Sequence, residues 1–353
     1  MTHEPSAAPH QRASLSLARR PAGRRRRFLR GAAMVAAGAG AAAAANHLLA
    51  RRAEARHPPE GRFVVVDGVR LHYREAGSGP LVVLLHGNGV ASDDFVVSGL
   101  MGRLALSSRV IAFDRPGFGY SERPRGRSWT ARTQAELLVR ALDLLGSEPA
   151  LLVGHSWGTL VAAEMALAEP QAFRGLVLMS GYYRPTMRAD AAVVGGPALP
   201  VVGDVMRYTV SPAIGRIMTP AILKQLFAPA AVSERFREGY PISMSLRPSQ
   251  LRAAAAEAAL MVPCAASLEA RIGGLELPVL ILAGDGDKLV STEHQSGWLA
   301  RELPQATLVT VEGVGHMIHH TSPETVAAAI EGMGGAVADA QGDGIDPAGA
   351  WAP

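Results

Sequence analysis

The stretch that decides the fold of this chain is Gly154-His155-Ser156-Trp157-Gly158. It follows the apolar run 151–153 and precedes residues 159–168, a segment of helical character rich in alanine, leucine and methionine. A strand, a Gly-x-Ser-x-Gly turn and a helix in this order predict a nucleophile elbow, in which the glycines permit a turn too sharp for side chains. Ser156 is then exposed above a helix N-terminus, which favours a developing negative charge. A reactive serine also needs a base, an acid and oxyanion donors elsewhere in the chain.

Alternating strands and helices surround this motif. Asp67-Gly68 predicts a tight hairpin turn between the first two strands, and residues 131–145 predict an amphipathic helix. The predicted strands are residues 63–66, 71–74, 81–85, 109–113, 151–153, 175–179, 278–282 and 307–311, and the later helices lie near 293–301 and 323–330. Antiparallel pairing at the start, followed by β–α alternation, predicts an α/β fold: a mostly parallel central sheet with helices on both faces.

A long segment interrupts this alternation. Almost a hundred residues separate Ser180 from Pro278, whereas connections in such units usually have about 2–6 residues. We therefore predict a helical lid, residues 182–273, inserted into a core of residues 61–181 and 274–335. Prolines divide the lid into short predicted helices such as 221–227 and 249–260. Its apolar residues favour a lid over an apolar pocket, and a small core inside the lid is the alternative. They include Met206, Tyr208, Ile214, Met218, Phe227, Met244 and Met261.

Length and composition set the broad class. The 353 residues suffice for one large α/β domain with an insertion or for two domains. The single cysteine, Cys264, excludes an intrachain disulfide and a cysteine-based metal cluster, and we predict no metal site. The formal net charge of +4 is uneven, because residues 1–60 contain 11 arginines and 3 acidic residues and the body is therefore acidic. We predict no nucleic-acid binding by the body. Residues 336–353, rich in glycine, alanine and aspartate, predict a disordered tail.

Residues 1–60 form a basic arm that resembles a signal or anchor segment. Residues 31–50 carry no formal charge and lie between arginine clusters. Arg25-Arg26-Arg27-Phe28-Leu29-Arg30 is similar to a bacterial twin-arginine export signal, and Ala43-Ala44-Ala45 would suit cleavage. The same 20 apolar residues could instead span a bilayer with the N-terminus in the cytoplasm. A disordered extension is the remaining alternative. We expect the protein to be membrane-anchored or exported in a bacterium, and a cytoplasmic location is less favoured.

Two loops downstream of Ser156 carry an acid and a base. Gly284-Asp285-Gly286-Asp287 follows the strand at 278–282, from which a carboxylate can reach across to a histidine. His316 lies in the loop after the next strand. His319 and His320 are rivals for the base, but only His316 is flanked by loop glycines.

Together these motifs resemble the α/β-hydrolase superfamily, in the lidded branch that includes epoxide hydrolases, haloalkane dehalogenases, cofactor-free haloperoxidases and many esterases. The order serine, acid, histidine is that of this superfamily. The resemblance covers residues 61–335 and implies the α/β-hydrolase fold. It implies that Asp287, the last position of a Gly-x-x-Asp pattern, is the acid, and that Asp285 is a turn residue. The motifs that carry it are His86-Gly87-Asn88-Gly89 and residues 114–121, 154–158, 284–287 and 315–316.

The resemblance implies a cofactor-free catalytic triad. His316 would take the proton of Ser156 as the serine attacks, and Asp287 would orient the imidazole and stabilise its charged form. The backbone N–H groups of Trp157 and Asn88 would form the oxyanion hole.

Other residues near these motifs have secondary expected roles. His86 and His155 are expected to pack and hydrogen-bond near the site, and Asp114 is expected to hold the loop that follows it. Tyr182 and Tyr183, just past the strand at 175–179, are substrate-binding candidates.

The type of nucleophile narrows the reaction. Epoxide hydrolases and haloalkane dehalogenases use aspartate here, because a serine would form a stable ether that water cannot cleave. Ser156 therefore favours hydrolysis of an uncharged, apolar carboxylic ester, a small-molecule substrate. C–C bond hydrolysis, acyl transfer and haloperoxidase-type activity on the same triad are alternatives. A non-catalytic binding protein is disfavoured because no triad residue is missing. The substrate's identity and the oligomeric state stay open, and the arm predicts membrane association.

Overall fold

A computed structural model describes residues 22–146, 148–186 and 201–343. Residues 1–21 of the arm, 187–200 of the predicted lid and 344–353 of the predicted tail lie outside them. The strands are β1 Arg62–Val66, β2 Val69–Ala76, β3 Leu81–Leu85, β4 Arg109–Phe113, β5 Ala150–His155, β6 Phe173–Met179, β7 Val279–Gly284 and β8 Ala306–Val311. The helices are α1 Ala22–Arg56, α2 Asp93–Val97, α3 Leu100–Leu104, α4 Ala131–Leu144, α5 Trp157–Ala168, α6 Val202–Tyr208, α7 Ser211–Phe227, α8 Glu234–Gly239, α9 Ile242–Ser245, α10 Pro248–Glu269, α11 Trp298–Glu302, α12 Ile318–Thr321 and α13 Pro323–Asp343. Short 3-10 helices cover Pro170–Ala172 and Ile272–Gly274, and Glu293–Gly297 forms a π-helical turn.

The strands form one eight-stranded sheet in the order β1-β2-β4-β3-β5-β6-β7-β8. β2 pairs antiparallel with β1 and with β4, and all the other neighbours are parallel. Asp67 and Gly68, with φ of 50° and 75°, form the predicted hairpin turn. The mostly parallel α/β-hydrolase sheet predicted from the sequence is confirmed, and the strand that precedes Ser156 lies near its middle.

Apolar side chains of the central strands alternate between the two faces of the sheet. In β3, Val83 belongs to a buried cluster that includes residues of α4 and α5. Its neighbours Val82 and Leu84 belong to a second cluster with residues of α3 and α13. This alternation follows from the two-residue period of a strand, and it explains why β3 is apolar throughout. The sheet is therefore a rigid layer whose carboxyl edge can position loops.

The predicted insertion consists of α6 to α10 in the part that the structure describes. The predicted short helices 221–227 and 249–260 are wrong in their boundaries, because α7 continues through Pro220 and α10 continues through Pro263. A proline inside a helix frees the carbonyl group four residues earlier. Both prolines, and residues 216 and 259 that precede them by four, are exposed. Water can therefore bind the freed carbonyl groups, and the helices persist.

The apolar residues of the insertion divide into two groups. Phe227 packs in a small buried cluster with Phe236, Tyr240 and Met317, and Met261 is part of the main core. The first of these clusters joins the lid to the core domain, because Met317 lies outside the lid, so it matches the alternative of a core inside the lid only in part. A second group points outward: Tyr208, Ile214 and Met218 are 40%, 53% and 48% exposed. Neither sequence interpretation predicted this outward-facing group.

The described parts of the arm and of the tail are largely helical. The arm is helical from Ala22 to Arg56, which includes the whole apolar run 31–50. Helix α13 continues to Asp343, so the disorder predicted from residue 336 is wrong for residues 336–343. Alanine, the strongest helix former, is frequent there. The prediction of disorder rested on low hydrophobicity and did not include this helix propensity.

Two of the described helices are long and apolar enough to cross a membrane. One of them is α10, which is partly buried and packs Ala265 and Leu268 into the main core, as a lid helix would. The other is residues 26–56 of α1, whose apolar part is not buried against the rest of the chain. The alternatives of a signal and an anchor both fit this helix.

Candidate active site

The serine motif forms a sharp turn between strand and helix. Ser156 lies between the end of β5 and the start of α5, with φ of 52° and ψ of −120°. Such a positive φ is uncommon for a residue with a side chain and is typical of a strained functional turn. A Cβ at Gly154 would lie 2.8 Å from the Gly158 carbonyl oxygen, and a Cβ at Gly158 would lie 2.2 Å from the Leu85 oxygen. The crowding explains why glycine occupies both positions.

Ser156, His316 and Asp287 meet at the carboxyl edge of the sheet. The Nε2 atom of His316 lies 2.9 Å from Ser156 Oγ, and its Nδ1 atom lies 2.8 Å from Asp287 Oδ2. An ionised carboxylate only accepts hydrogen bonds, so Nδ1 carries the proton and Nε2 is free to accept the serine proton. This is the tautomer that a general base toward Ser156 requires.

Asp287 is held in its charged form. Burial opposes ionisation, but the charge interaction and hydrogen bond with His316 and the N–H groups of Val290 and Leu289 outweigh burial and hold the Asp287 pKa below its usual value. Those two N–H groups lie 2.9 and 2.8 Å from Oδ1. Asp285 has another task, since its Oδ1 accepts the N–H of Gly313 at 2.7 Å. The structure therefore brings Asp287, and not Asp285, to the histidine.

The two rival histidines bind a different carboxylate. The Nε2 atoms of His319 and His320 each lie 2.8 Å from an oxygen of Asp94, and all three side chains are fully buried. The three groups are close enough together to hold a metal ion. The two imidazole N–H groups already satisfy the carboxylate, while the Nδ1 atoms of both rings are buried without a hydrogen-bond partner.

The buried histidines beside the site are neutral. His86 accepts the N–H of Arg115 at Nε2, at 2.9 Å, and so carries its proton on Nδ1, which donates to the Gly87 oxygen at 2.7 Å. His155 donates from Nε2 to the His316 carbonyl oxygen at 3.0 Å. Burial, followed by the neighbouring His319 and His316, lowers the His155 pKa well below its usual value. The expectation that both pack near the site agrees with these contacts.

Acid is expected to destabilise the fold through His86. Burial, with Arg115 close by, lowers the His86 pKa to about 3 from 6.5. The unfolded chain binds a proton that the folded chain excludes, so this stabilisation is present above the unfolded pKa and is lost as the pH falls toward the folded pKa. For this group we expect the free energy of unfolding to be about 2 kcal/mol lower at pH ~5 than at pH ~7. Urea unfolding of the wild type and of His86→Gln at both pH values measures it. Equal pH differences in the two proteins would contradict the assignment.

The predicted oxyanion donors lie beside the serine. Trp157 is the first residue of α5, so its N–H has no acceptor inside the helix. The loop after β3 passes close by, since a Cβ at Gly87 would lie 3.1 Å from Ser156 Cβ. The side chain of Asn88 donates to the Ala254 oxygen at 3.1 Å, which ties this loop to α10. The backbone N–H of Asn88 is the donor that the sequence analysis expects on this loop.

A buried ion pair that the sequence analysis missed supports the same loop. The guanidinium of Arg115 donates to the carbonyl oxygens of His86 and Gly87 at 2.7 and 2.9 Å. It also donates to both oxygens of Glu257 in α10 at 2.5 and 3.0 Å, and both side chains are 0% exposed. The indole N–H of Trp157 donates to the Glu257 carbonyl oxygen at 3.1 Å. One lid residue therefore contacts both segments that carry the predicted oxyanion donors.

Asp114 holds the segment that follows it, as expected. Its carboxylate accepts the N–H and the hydroxyl of Ser92, the N–H of Tyr120 and a hydrogen bond from His72, at 2.7–2.9 Å. Burial opposes its ionisation, but these hydrogen bonds and the His72 charge interaction lower the Asp114 pKa to about 2.

Tyr182 and Tyr183 are packed in the main core, 3% and 0% exposed. The Tyr182 hydroxyl donates to the Thr186 oxygen at 2.6 Å, and the Tyr183 N–H donates to Gln295 at 2.7 Å. Burial raises the Tyr183 pKa. The prediction that these two residues bind substrate finds no support in these contacts.

The match to known proteins defines the class of protein. Residues 80–323 match the model of the α/β-hydrolase fold family. The chain belongs to this family and is an enzyme, a hydrolase.

Individual relatives show how diverse the family is. The chain is 31% identical over 250 residues to a 2-hydroxymuconate semialdehyde hydrolase of Pseudomonas sp. strain CF600, covering 69% of this chain and 84% of the relative. It is 28% identical over 283 residues to haloalkane dehalogenase 2 of Mycobacterium tuberculosis, covering 78% and 94%. A solved bacterial membrane phospholipase A, described as a virulence factor, superimposes with a TM-score of 0.61 at 24% identity, covering 88% and 99%.

Proposed function

We propose that this protein is a serine hydrolase that cleaves uncharged, apolar carboxylic esters through an acyl-enzyme. The observation that carries the proposal is the pair of contacts that His316 makes, 2.9 Å to the serine Oγ and 2.8 Å to the Asp287 carboxylate. A serine hydroxyl is a weak nucleophile until an adjacent base accepts its proton.

The first half of the reaction is acylation. Ser156 Oγ attacks the ester carbonyl carbon while His316 Nε2 takes the hydroxyl proton, and the carbonyl oxygen becomes an oxyanion. The backbone N–H groups of Trp157 and Asn88 donate to that oxyanion, and Asp287 stabilises the imidazolium. His316 then gives its proton to the departing alkoxide, and the alcohol leaves.

Deacylation repeats these steps with water. His316 takes a proton from water, the hydroxide attacks the acyl carbon, and collapse of the second oxyanion returns the proton to Ser156 Oγ. The carboxylic acid leaves, and the serine is restored.

The apolar nature of the substrate rests on the neighbourhood of the histidine. Met317, the residue after His316, is 3% exposed and packs with Phe227, Phe236 and Tyr240. A charged substrate group next to this apolar cluster would lose water without gaining a partner, so an uncharged group is favoured.

A fluorophosphonate probe tests the proposed reaction. The probe is expected to label Ser156 of the wild-type chain, because the activated oxygen attacks its phosphorus and displaces fluoride. Mass spectrometry of the labelled peptide locates the site, and heat-denatured protein is the control. The same preparation is assayed on a panel of p-nitrophenyl esters of increasing acyl length, with product analysis in added alcohol to detect acyl transfer. Absence of labelling at Ser156 in folded protein would reject the mechanism.

A C–C bond hydrolase is the second candidate function. It is favoured by the 31% identity to a 2-hydroxymuconate semialdehyde hydrolase. The loss of absorbance of a semialdehyde of that type, compared with ester cleavage at equal enzyme concentration, separates the two.

We further propose that α1 anchors the protein in a membrane and is not removed. Residues 31–50 would span about 30 Å as a helix, the thickness of a bilayer core. The arginines that precede them favour a cytoplasmic N-terminus, which would place the catalytic body on the opposite side.

The full-length chain is expected in the membrane fraction, resistant to salt and alkaline carbonate and released by detergent. A charged residue at the centre of a spanning helix costs about 2.5–3.5 kcal/mol. A variant with Ala37→Arg and Ala41→Arg, at exposed positions near the middle of residues 31–50, is therefore expected to leave the membrane fraction. Intact mass measures whether residues 1–45 are retained. A soluble full-length wild type would contradict anchoring.

A further inference from the structure

Two lid helices present apolar side chains to the surface. In and just before α6, Val201, Val202, Val205 and Tyr208 are 74%, 56%, 56% and 40% exposed. In α7, Ile214, Ile217, Met218 and Ile222 are 53%, 77%, 48% and 45% exposed. The α7 spacing of three, four and eight residues from Ile214 places its four side chains on one side of the helix. We call the surface formed by residues 201–222 the lid surface.

This concentration is unusual for a surface that faces water. Among the described residues, twenty large apolar side chains are exposed, and nine of them lie between Val201 and Ile222. Another six lie on α1, which leaves five for the remainder of the body. Scattered apolar residues are normal on a soluble protein, but a contiguous group this large marks a binding surface for a protein or a membrane.

The lid surface adjoins the place where α1 meets the body. The side-chain amide of Asn46 in α1 donates to the carbonyl oxygens of Tyr208 and Thr209, at 2.9 and 2.8 Å, and so caps the end of α6. Asn46 is also near the end of the apolar run 31–50. The lid surface and the apolar run of α1 are therefore neighbours in the described part of the chain.

Positive charge borders the same junction. A cleft between α1 and the lid is lined by Arg52, Arg56 and Arg216, among other residues. Arginines next to an apolar surface are well suited to the phosphate groups of lipid headgroups, with which they form charge-assisted hydrogen bonds.

We propose that the lid surface lies on the same bilayer that α1 enters, with Arg52, Arg56 and Arg216 at the level of the headgroups. This proposal rests on the proposed anchoring by α1. Asn46, which contacts α6, is four residues before the end of the proposed span, about 6 Å along the helix, so the lid surface lies near the membrane interface. Apolar side chains beside basic residues are the composition of interfacial helices.

The far end of α7 contacts the catalytic loops. Phe227 ends α7, and a Cβ at Gly315, the residue before His316, would lie 2.0 Å from the oxygen of Ala228. A Cβ at Gly286, the residue before Asp287, would lie 2.5 Å from Pro229 Cδ. Ile217 is ten residues from Phe227, about 15 Å along the helix. One helix thus joins the bilayer to the loops of the acid and the base.

The positions of the lid surface and α7 also indicate a class of substrate, on the basis of the proposed ester hydrolysis. An ester dissolved in the bilayer would meet the protein at the lid surface, on the side from which α7 runs to the catalytic loops. We therefore assign membrane-dissolved esters, such as acyl lipids, as the substrate class.

Lipid-dependent quenching at single labelled positions tests the placement of the lid. Full-length protein with Ile217→Cys is labelled with a nitrobenzoxadiazole fluorophore and inserted in equimolar phosphatidylcholine–phosphatidylglycerol vesicles that contain doxyl-labelled lipid. Leu106→Cys is the matched negative control, because Leu106 is 79% exposed and lies just before β4, at the opposite edge of the sheet. Val35→Cys, inside α1, is the positive control. Cys264 is 6% exposed, and unsubstituted protein measures its background labelling.

The expected result is loss of fluorescence at positions 217 and 35 and none at position 106. Quenching at 35 without quenching at 217 would overturn the lid placement and leave the anchor intact. The label at 217 could instead be blue-shifted but unquenched, with an emission that returns to that of a water-exposed label when the protein is diluted with lipid. That result would show that a second copy of the chain covers the lid surface, and it would also overturn the proposal. An unquenched label at 35 would reject the proposed anchoring by α1, and with it the proposed placement of the lid surface.

Activity supplies a second readout. The rate on a long-chain ester embedded in those vesicles is divided by the rate on a short soluble ester. Ile217→Glu is expected to lower this ratio about tenfold, because a charged side chain resists transfer to the interface, and Leu106→Glu is expected to leave it unchanged. An equal ratio in all three proteins would overturn the substrate assignment. Absence of both rates in the wild type would instead reject the proposed ester hydrolysis, and the quenching result would still stand.

Discussion

Replacement of Ser156 by alanine is expected to lower kcat on a short p-nitrophenyl ester by about 10³–10⁶-fold. The serine oxygen is the atom 2.9 Å from His316 Nε2, and without it no acyl-enzyme can form. Residual catalysis would come from the oxyanion donors and from substrate binding. Ser107→Ala is the matched control, because Ser107 is exposed at the opposite edge of the sheet, two residues before β4.

Two further measurements make this expectation specific. The free energy of unfolding of Ser156→Ala is expected to match that of the wild type, so that lost activity reflects lost chemistry. His316→Ala is expected to cost a similar factor, and the double variant little more, because the two residues act as a unit. Additive losses in the double variant, or wild-type activity in Ser156→Ala, would show that the reaction uses another nucleophile.

Removal of the Glu257 carboxylate is expected to lower the free energy of unfolding by about 3–5 kcal/mol. Glu257→Ala leaves the Arg115 guanidinium buried without its acid, and both side chains are 0% exposed in the wild type. The loss arises from an uncompensated buried charge, and it exceeds what the pair itself contributes to stability. Urea unfolding monitored by tryptophan fluorescence measures the change.

The matched control for Glu257→Ala is another acid in an ion pair. Glu136 pairs with Arg132 at 3.3 Å on the surface of α4, with 42% and 67% of the side chains exposed. Glu136→Ala is expected to cost only about 0.3–0.5 kcal/mol. We also expect Glu257→Ala to reduce kcat by up to about 10²-fold, because Arg115 holds the loop that carries one proposed oxyanion donor. Equal losses of stability in the two variants would contradict this role of Glu257.

The sequence predicted the sheet and the proximity of Ser156, Asp287 and His316 because both depend on local patterns. Continuous apolar runs such as residues 81–85 are sufficient for a strand buried on both faces. Asp287 follows such a strand, and His316 follows the partly exposed edge strand β8, so both residues lie at the carboxyl edge of the sheet. The sequence distinguished Asp287 from Asp285 as the acid, and His316 from His319 as the base, only by their positions relative to loop glycines.

The remainder depended on contacts that no local pattern contains. Glu257 and Arg115 are 142 positions apart, and the residues around either one do not indicate that the two side chains form an ion pair. The one available signal was an isolated acid in an alanine-rich helical stretch, which favours a buried ion pair over a solvated face. Pro220 led to a predicted helix boundary that the structure does not have. The cost of a proline inside a helix depends on whether water reaches the freed carbonyl group, and the sequence does not show this.

The carboxyl-terminal part of α1 is a structural member of the catalytic body. Asn46 caps α6, Ala53 is 3% exposed, and Glu54 pairs at 3.1 Å with Arg247, which is itself 5% exposed. A truncated soluble enzyme that starts at Gly61 would lack all three, so a stable truncation has to begin at or before residue 46. The same three contacts hold the end of α1 against the body. The orientation of the body relative to the axis of α1 is therefore set when the chain folds.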